Sequence, residues 1–134
     1  MCGIYGCCQR AKAAKSAIGG LEKLEYRGYD SAGIAFLEGE KIEIIKSVGK
    51  VSNLKEKVGE RVSNLAIAHT RWATHGKATT LNCHPHTSKN FIIVHNGIIE
   101  NFKGLKSTAS EDFYSETDSE VIAKVLEKNF ENLT

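Results

Sequence analysis

The apolar residues of this chain change period along its length, and the changes predict the elements before any chemistry is considered. Ile4 and Tyr5, set among small residues, read as a strand at the very start. Ala14, Ile18, Leu21 and Leu24 then recur at near-helical spacing across residues 11–25, with Lys and Glu between them. Gly19 and Gly20 either weaken that helix or let a neighbour pack closely against it. After the loop EYRGYDSAG come two β-prone runs, AGIAFLE and KIEIIKSV, joined through Glu38-Gly39-Glu40 as a hairpin. NLKEKVGE predicts a short amphipathic helix and LAIAHT a strand. FIIVHN predicts another strand, and its fully apolar body places it in a buried sheet. The last helix carries Val121, Ile122, Val125, Leu126 and Phe130 on one face, with Thr117 and Glu120 as a capping box. The predicted order is βαββαββαα, a mixed arrangement with at least one antiparallel hairpin.

Between the two later strands, residues 71–90 hold the only Trp, the only Pro and three of the five histidines. A loop of that length inside a compact domain is usually functional. At 134 residues the chain is the size of one domain, and 41% hydrophobic and 25% charged residues are ordinary for a globular protein. Eighteen Lys and Arg against sixteen Asp and Glu leave a net +2 spread along the chain, which argues against a nucleic-acid or membrane-surface partner. No apolar run approaches the ~20 residues that span a bilayer, and no secretory signal is visible. The four cysteines are therefore expected as free thiols in the cytoplasm. Cys2, Cys7, Cys8, Cys83, His84 and His86 are metal-ligand types, but CHPH lacks the spacing of a zinc ligand pair, and neither metal nor cofactor is expected.

Cys2 has a chemical property that no other position offers. If Met1 is removed, one residue carries both a thiol and a free α-amine, and an amine with a pKa of about 7.7–8.0 can take the thiol proton. The alternative is a small buried residue at a strand start. HTRWATHG places Arg71, Thr74 and His75 just past a strand end, and the planar donor fork of Arg71 suits a small carboxylate. HNGIIEN does the same for the side-chain amide of Asn96 and the backbone N–H of Gly97, which together could form an oxyanion hole for an acyl intermediate. Asp118, in the first turn of the last helix, could take an ammonium group or simply complement the helix dipole.

CGIYG, LEYRGYDSAGIA, HTRWATHG, HPH, VHNGIIEN and SETDSEVIA, in that order across residues 2 to about 123, resemble the glutaminase domain of the class II glutamine amidotransferases. Within that group they resemble the branch that makes glucosamine-6-phosphate from fructose-6-phosphate. RGYD and NGIIEN stand where asparagine synthetases read RGPD and NGEIYN. Tyr26, Tyr29 and Trp72-Ala73 depart from the phosphoribosyl-pyrophosphate branch. The resemblance implies that Cys2 attacks the side-chain amide of L-glutamine, with its α-amine as base, and that Asn96 and Gly97 hold the oxyanion. It implies that Arg71 binds the α-carboxylate and Asp118 the α-ammonium, with Thr74 and His75 lining the pocket. Trp72 would help to close the site and Arg27 would support its loop, while His84 and His86 would have a structural or domain-contact role. The implied fold is α+β, the α/β/β/α sandwich of antiparallel sheets of N-terminal-nucleophile hydrolases, truncated at the C-terminus. An N-terminal fragment of a homo-oligomeric parent is expected, with fructose-6-phosphate met only through isomerase domains that are absent here. The alternatives are a catalytically inactive remnant or interaction module, and a metal-binding Cys/His protein.

Overall fold

The computed structural model describes residues 2–73, 76–108 and 112–132. Four strands, β1 (Gly3–Cys8), β2 (Ser31–Glu38), β3 (Lys41–Val48) and β4 (Leu65–Arg71), pair antiparallel in the order β1-β4-β2-β3. Side chains alternate across a strand, so Ala32, Ile34 and Phe36 of β2 and Ala66 and Ala68 of β4 share one face. Helices α1 (Ala13–Leu24) and α2 (Val51–Val58) cover that face with Ile18, Leu21 and Leu54, each essentially buried. Each such side chain stabilises the fold by roughly 1.5–3 kcal/mol.

Neither helix is capped by a side chain of its own N-cap residue; more distant residues take the amides instead. The N–H groups of Ala13 and Ala14 donate to the carbonyl and hydroxyl oxygens of Ser63 at 2.9 and 2.7 Å. Val51 N–H donates to the Glu25 carboxylate at 2.6 Å. Gly20 lies so close to Tyr5 that a Cβ there would come within 2.1 Å of the ring, so this glycine serves close packing of α1 on β1.

The opposite face of the sheet shows Gly33, Ala35 and Leu37 of β2 beside Ile67, His69 and Arg71 of β4. Over it lies a two-stranded antiparallel sheet, β5 (His86–Thr87) and β6 (Ile92–Ile93). Helix α4 (Glu120–Glu131) packs on that small sheet, and α3 (Phe102–Thr108) packs on α4. The layers thus run helix, sheet, sheet, helix. The second sheet covers only the end of the first that carries His69 and Arg71. Elsewhere on this face Ile42 and Leu65 remain open, 59% and 49% exposed.

Several expectations need correction. FIIVHN is not a long buried strand: only Ile92 and Ile93 pair, with Thr87 and His86, and both are half-buried. β2 begins at Ser31, inside the stretch read as a loop, and β5 interrupts the long segment 71–90. The capping box does not form, because α4 starts at Glu120 itself, with Ser119 at the N-cap and no side-chain cap bond. Glu120 instead accepts from Tyr114 N (3.0 Å), Ser115 N (2.7 Å) and Ser115 Oγ (2.6 Å). The apolar face of α4 is buried only in its first half: Val121 is buried and Ile122 and Val125 half-buried, but Leu126 and Phe130 are exposed, whereas Lys124 and Glu127 are buried. Glu127 accepts from Ser88 Oγ and Asn90 N at 2.9 and 2.7 Å, so hydrogen bonding joins the burial of Val121 and Ala123 in fixing how α4 is turned.

Candidate active site

At the end of β4, residue 2 precedes β1 and runs alongside Arg71 and Trp72. The Trp72 N–H donates to Cys2 Sγ at 3.2 Å, and the Gly3 N–H donates to Thr70 Oγ1 at 3.1 Å. The thiol of half-buried Cys2 is thus held against the Trp72 backbone, whose N–H donates to it and whose carbonyl lies 3.6 Å away. Asn96 reaches the same residue from the segment after β6, its Nδ2 donating to the Cys2 carbonyl at 3.0 Å. Gly97 follows with φ 153°, a conformation side chains rarely adopt, and a Cβ there would stand 2.8 Å from His95 Nε2.

Cys2, Arg71, Trp72, Gly97 and Asp118 line one small cavity of about 30 Å³, room for about one water. Asp118, 4% exposed, accepts from Ile99 N–H at 2.6 Å and so fixes the chain just beyond Gly97. Arg71 is buried, and its guanidinium donates to the carbonyls of Lys77 (3.0 Å) and Gly76 (3.1 Å), so it also anchors the loop after β4. Trp72 is half-exposed and meets Tyr29 edge-on at 5.8 Å. That loop is tied down again by Asp30, whose carboxylate accepts from Ala73 N and, at 2.7 Å, from Ser31 Oγ. Arg27 ends a 3-10 turn over Glu25–Arg27 and is half-buried. Thr74 and His75 lie outside the described residues. Cys2, Asn96, Gly97, Arg71, Trp72 and Asp118 are thus brought together.

Behind these groups is a stack of buried imidazoles, in which His84 and His86, expected in a structural or domain-contact role, are joined by His69, which sequence reasoning passed over. His69 and His84 stack at 4.0 Å, and His84 meets His86 edge-on at 4.4 Å. Burial lowers the pKa of His69 to about 4, against the opposing hydrogen bonds to Asn96 and His95. It lowers His86 to about 4 as well, with Lys46 adding to the effect, and depresses His84 further still. All are neutral at pH 7. His84 Nδ1 accepts from His95 N–H at 3.3 Å and His86 Nε2 pairs with Thr117 Oγ1 at 2.9 Å, so HPH supports the segments on either side of the cavity. The signal for His69 was present: period two in β4 places it on the same face as Ile67 and Arg71. Cys83 is buried, which pushes its thiol up, and its Sγ lies 3.7 Å from the Ser47 carbonyl; such a thiol is inert. Among the described residues no three His, Cys, Asp or Glu side chains converge as metal ligands, and no helix is long and apolar enough to cross a membrane.

The family model described as glutamine amidotransferases class-II matches residues 16–132. A glutamine–fructose-6-phosphate aminotransferase [isomerizing] of Francisella tularensis is 50% identical over 97% of this chain, and one of Streptococcus pyogenes is 47% identical over 96%. The chain spans 22% of the length of each. Among solved structures, the glutamine phosphoribosylpyrophosphate amidotransferase of B. subtilis superimposes with a TM-score of 0.80 at 26% identity, over 93% of this chain and 29% of that one. A second, described as the allosteric regulatory enzyme of purine biosynthesis, gives 0.81 at 27%, with the same shares of the two chains. The fold is shared with the phosphoribosyl-pyrophosphate enzymes, while sequence identity is far higher to the fructose-6-phosphate branch.

Proposed function

Given that the chain belongs to the class-II glutamine amidotransferase family, we propose that residues 1–134 act as the glutaminase part of an enzyme that passes glutamine nitrogen to fructose-6-phosphate. The observation that carries this reading is the meeting of Cys2 with the Asn96 amide and Gly97 at a cavity also lined by Arg71 and Asp118. With Met1 removed, the α-amine of Cys2 takes the thiol proton and the sulfur attacks the side-chain carbonyl carbon of glutamine. The Asn96 amide and the Gly97 N–H hold the oxygen as it becomes an oxyanion. Collapse breaks the C–N bond, the ammonium returns its proton to the leaving nitrogen, and ammonia departs from a glutamyl thioester. Water then releases glutamate and restores the thiol. Arg71 and Asp118 hold the α-carboxylate and α-ammonium, Thr74 and His75 complete the pocket wall, Trp72 helps to close it, and Arg27 supports the neighbouring loop. A 30 Å³ cavity must widen to admit glutamine, and Trp72, 49% exposed, is the side chain of its wall that solvent leaves room to shift.

The acceptor half of the reaction is assigned to the portion of the relatives that this chain does not span, and free thiols suit a cytoplasmic setting. The test is glutamine hydrolysis by protein whose intact mass shows Met1 removed. It should release ammonia, and an electrophilic glutamine analogue should label Cys2. Cys2→Ala should abolish both while leaving the circular dichroism spectrum and Tm near wild type, since Cys2 is a small side chain at the edge of the sheet. A folded, Met-free sample that takes no label, or a Cys2→Ala variant that still releases ammonia, would refute the assignment.

A further inference from the structure

We propose that His69 is a positioning residue for the oxyanion hole, its imidazole fixing which way the Asn96 amide points. The inference rests on the glutaminase reading of the site. Two backbone carbonyls, which can only accept, fix the polarity of the groups around them. His69 Nε2 lies 3.2 Å from the carbonyl oxygen of His95, which can only accept, so Nε2 carries the proton. The Asn96 side-chain atom 2.9 Å from that same N–H must then also be an acceptor, which makes it Oδ1 and not the NH₂. At the other end of the amide the Cys2 carbonyl, 3.0 Å away, demands a donor and so independently selects Nδ2 for that side. One hydrogen of the NH₂ is spent on Cys2; the geometry leaves the second for an oxygen bound at the Cys2 sulfur.

The rest of the imidazole agrees with this tautomer. Nδ1 is buried with no hydrogen-bond partner, and the residue is 1% exposed. The alternative tautomer would bury an unsatisfied N–H at Nδ1 and turn the Nε2 lone pair toward two oxygens. The ring is clamped by its stack on His84, at 4.0 Å and 17° between planes. His84 in turn accepts from His95 N–H, so both rings hold the residue immediately before Asn96. Without the His69 donor, the Asn96 oxygen loses its partner, and the single hydrogen bond from Nδ2 to the Cys2 carbonyl is all that opposes a flip. An amide flipped about its Cγ would then aim Oδ1 at the Cys2 carbonyl and at the developing oxyanion, where it would repel both.

The test uses the full chain with Met1 removed and two substitutions. His69→Leu fills the space without a donor, and His69→Gln restores an N–H near the Nε2 position. His69→Leu should lower kcat for glutamine hydrolysis roughly 10²–10³-fold, the loss seen when an oxyanion donor is removed. KM should change less than about threefold, because Arg71 and Asp118 bind the amino-acid end; Gln should recover kcat to within about tenfold of wild type. A core-packing role alone predicts the opposite order, with Leu at least as good as Gln. The assignment is overturned if a folded His69→Leu keeps wild-type kcat, if its loss lies in KM, or if Gln is as slow as Leu. Independently of activity, ¹⁵N NMR of the imidazole should show a protonated Nε2 and a bare Nδ1, and His69→Leu should shift the Asn96 side-chain amide resonances. A protonated Nδ1 or unmoved Asn96 resonances would sink the proposal. Wild-type protein that releases no ammonia would count against the glutaminase reading, and the NMR result would then decide for or against His69.

Discussion

Asp118 has two duties that one substitution can separate. Its Oδ2 accepts from Ile99 N–H at 2.6 Å, which is structural, and its carboxylate lines the cavity with Cys2 and Arg71, which is where an ammonium would sit. Asp118→Asn keeps an acceptor for Ile99 and removes only the charge. A charge-assisted hydrogen bond contributes about 1.5–3 kcal/mol, so KM for glutamine should rise roughly 10- to 100-fold while Tm moves by less than about 2 °C. Unchanged KM with a lowered Tm would leave Asp118 only its bond to Ile99, because it precedes the Ser119 N-cap and does not lie in the first turn of α4 as expected. Cys2, Arg71, Asn96, Gly97 and Asp118 were legible as candidates because a thiol, a donor fork, an amide, an unobstructed backbone N–H and a carboxylate fell in short motifs beside the predicted strands and last helix. His69 was not, although its strand was correctly read. Its importance comes from a partner 27 residues away, and a histidine on a buried strand face looks the same whether it fills space or aims an amide.

Among the elements, Gly33 shows how the two sheets are brought together. A Cβ at this position would come within 1.9 Å of the His84 carbonyl oxygen, so the backbone of β2 and the 83–86 segment touch with nothing between them. Gly33→Ala must push that segment outward, and with it the His84 ring that holds His95. The expected cost is about 3 kcal/mol by urea unfolding, at the upper end for overpacking, because the obstacle is backbone rather than a flexible side chain. A variant as stable as wild type would mean that the segment sits elsewhere in solution. β1, α1, the β2–β3 hairpin, α2 and β4 were readable from periodicity because each buries one face on the same core. The second layer was not. Residues 91–96 are apolar enough for a buried strand, but only Ile92 and Ile93 find a partner, the short β5. α4 was recognisable as a helix, yet only the first half of its apolar stripe is covered, and towards its end the bonds of Glu127 to Ser88 and Asn90 set the contact instead. Periodicity reports where apolar residues fall, and it carries no information on which carboxylate will find donors.

At the scale of the whole molecule, the histidine stack makes stability depend on pH over a definite window. His69 and His86 are held by burial at about 4, and His84 lower, against an ordinary value of 6.5. Above pH 6.5 these rings are neutral whether the chain is folded or not, and they contribute no pH dependence. Below it the unfolded chain takes up protons that the folded one refuses, so stability falls as pH drops from 6.5 toward 4. Each ring contributes a slope of up to about 1.4 kcal/mol per pH unit once fully engaged. Glu120 works in a lower window. Burial pushes its carboxyl up, but the bonds from Ser115 and Tyr114 outweigh that and leave it below 4.5, so its contribution is lost only in more acid solution. Loss of stability between pH 6.5 and 5 therefore belongs to the imidazoles. Urea unfolding at pH 7.5, 6.0 and 5.0 should show a plateau above 6.5 and then a fall steepening toward two to three protons per molecule. By pH 5 the three rings remove up to about 6 kcal/mol, which unfolds a domain at the low end of the usual 5–15 kcal/mol and strongly destabilises the rest. A profile that stays flat down to pH 5 would show that the stack is hydrated in solution, and that Asn96 is not held by a dry, neutral His69.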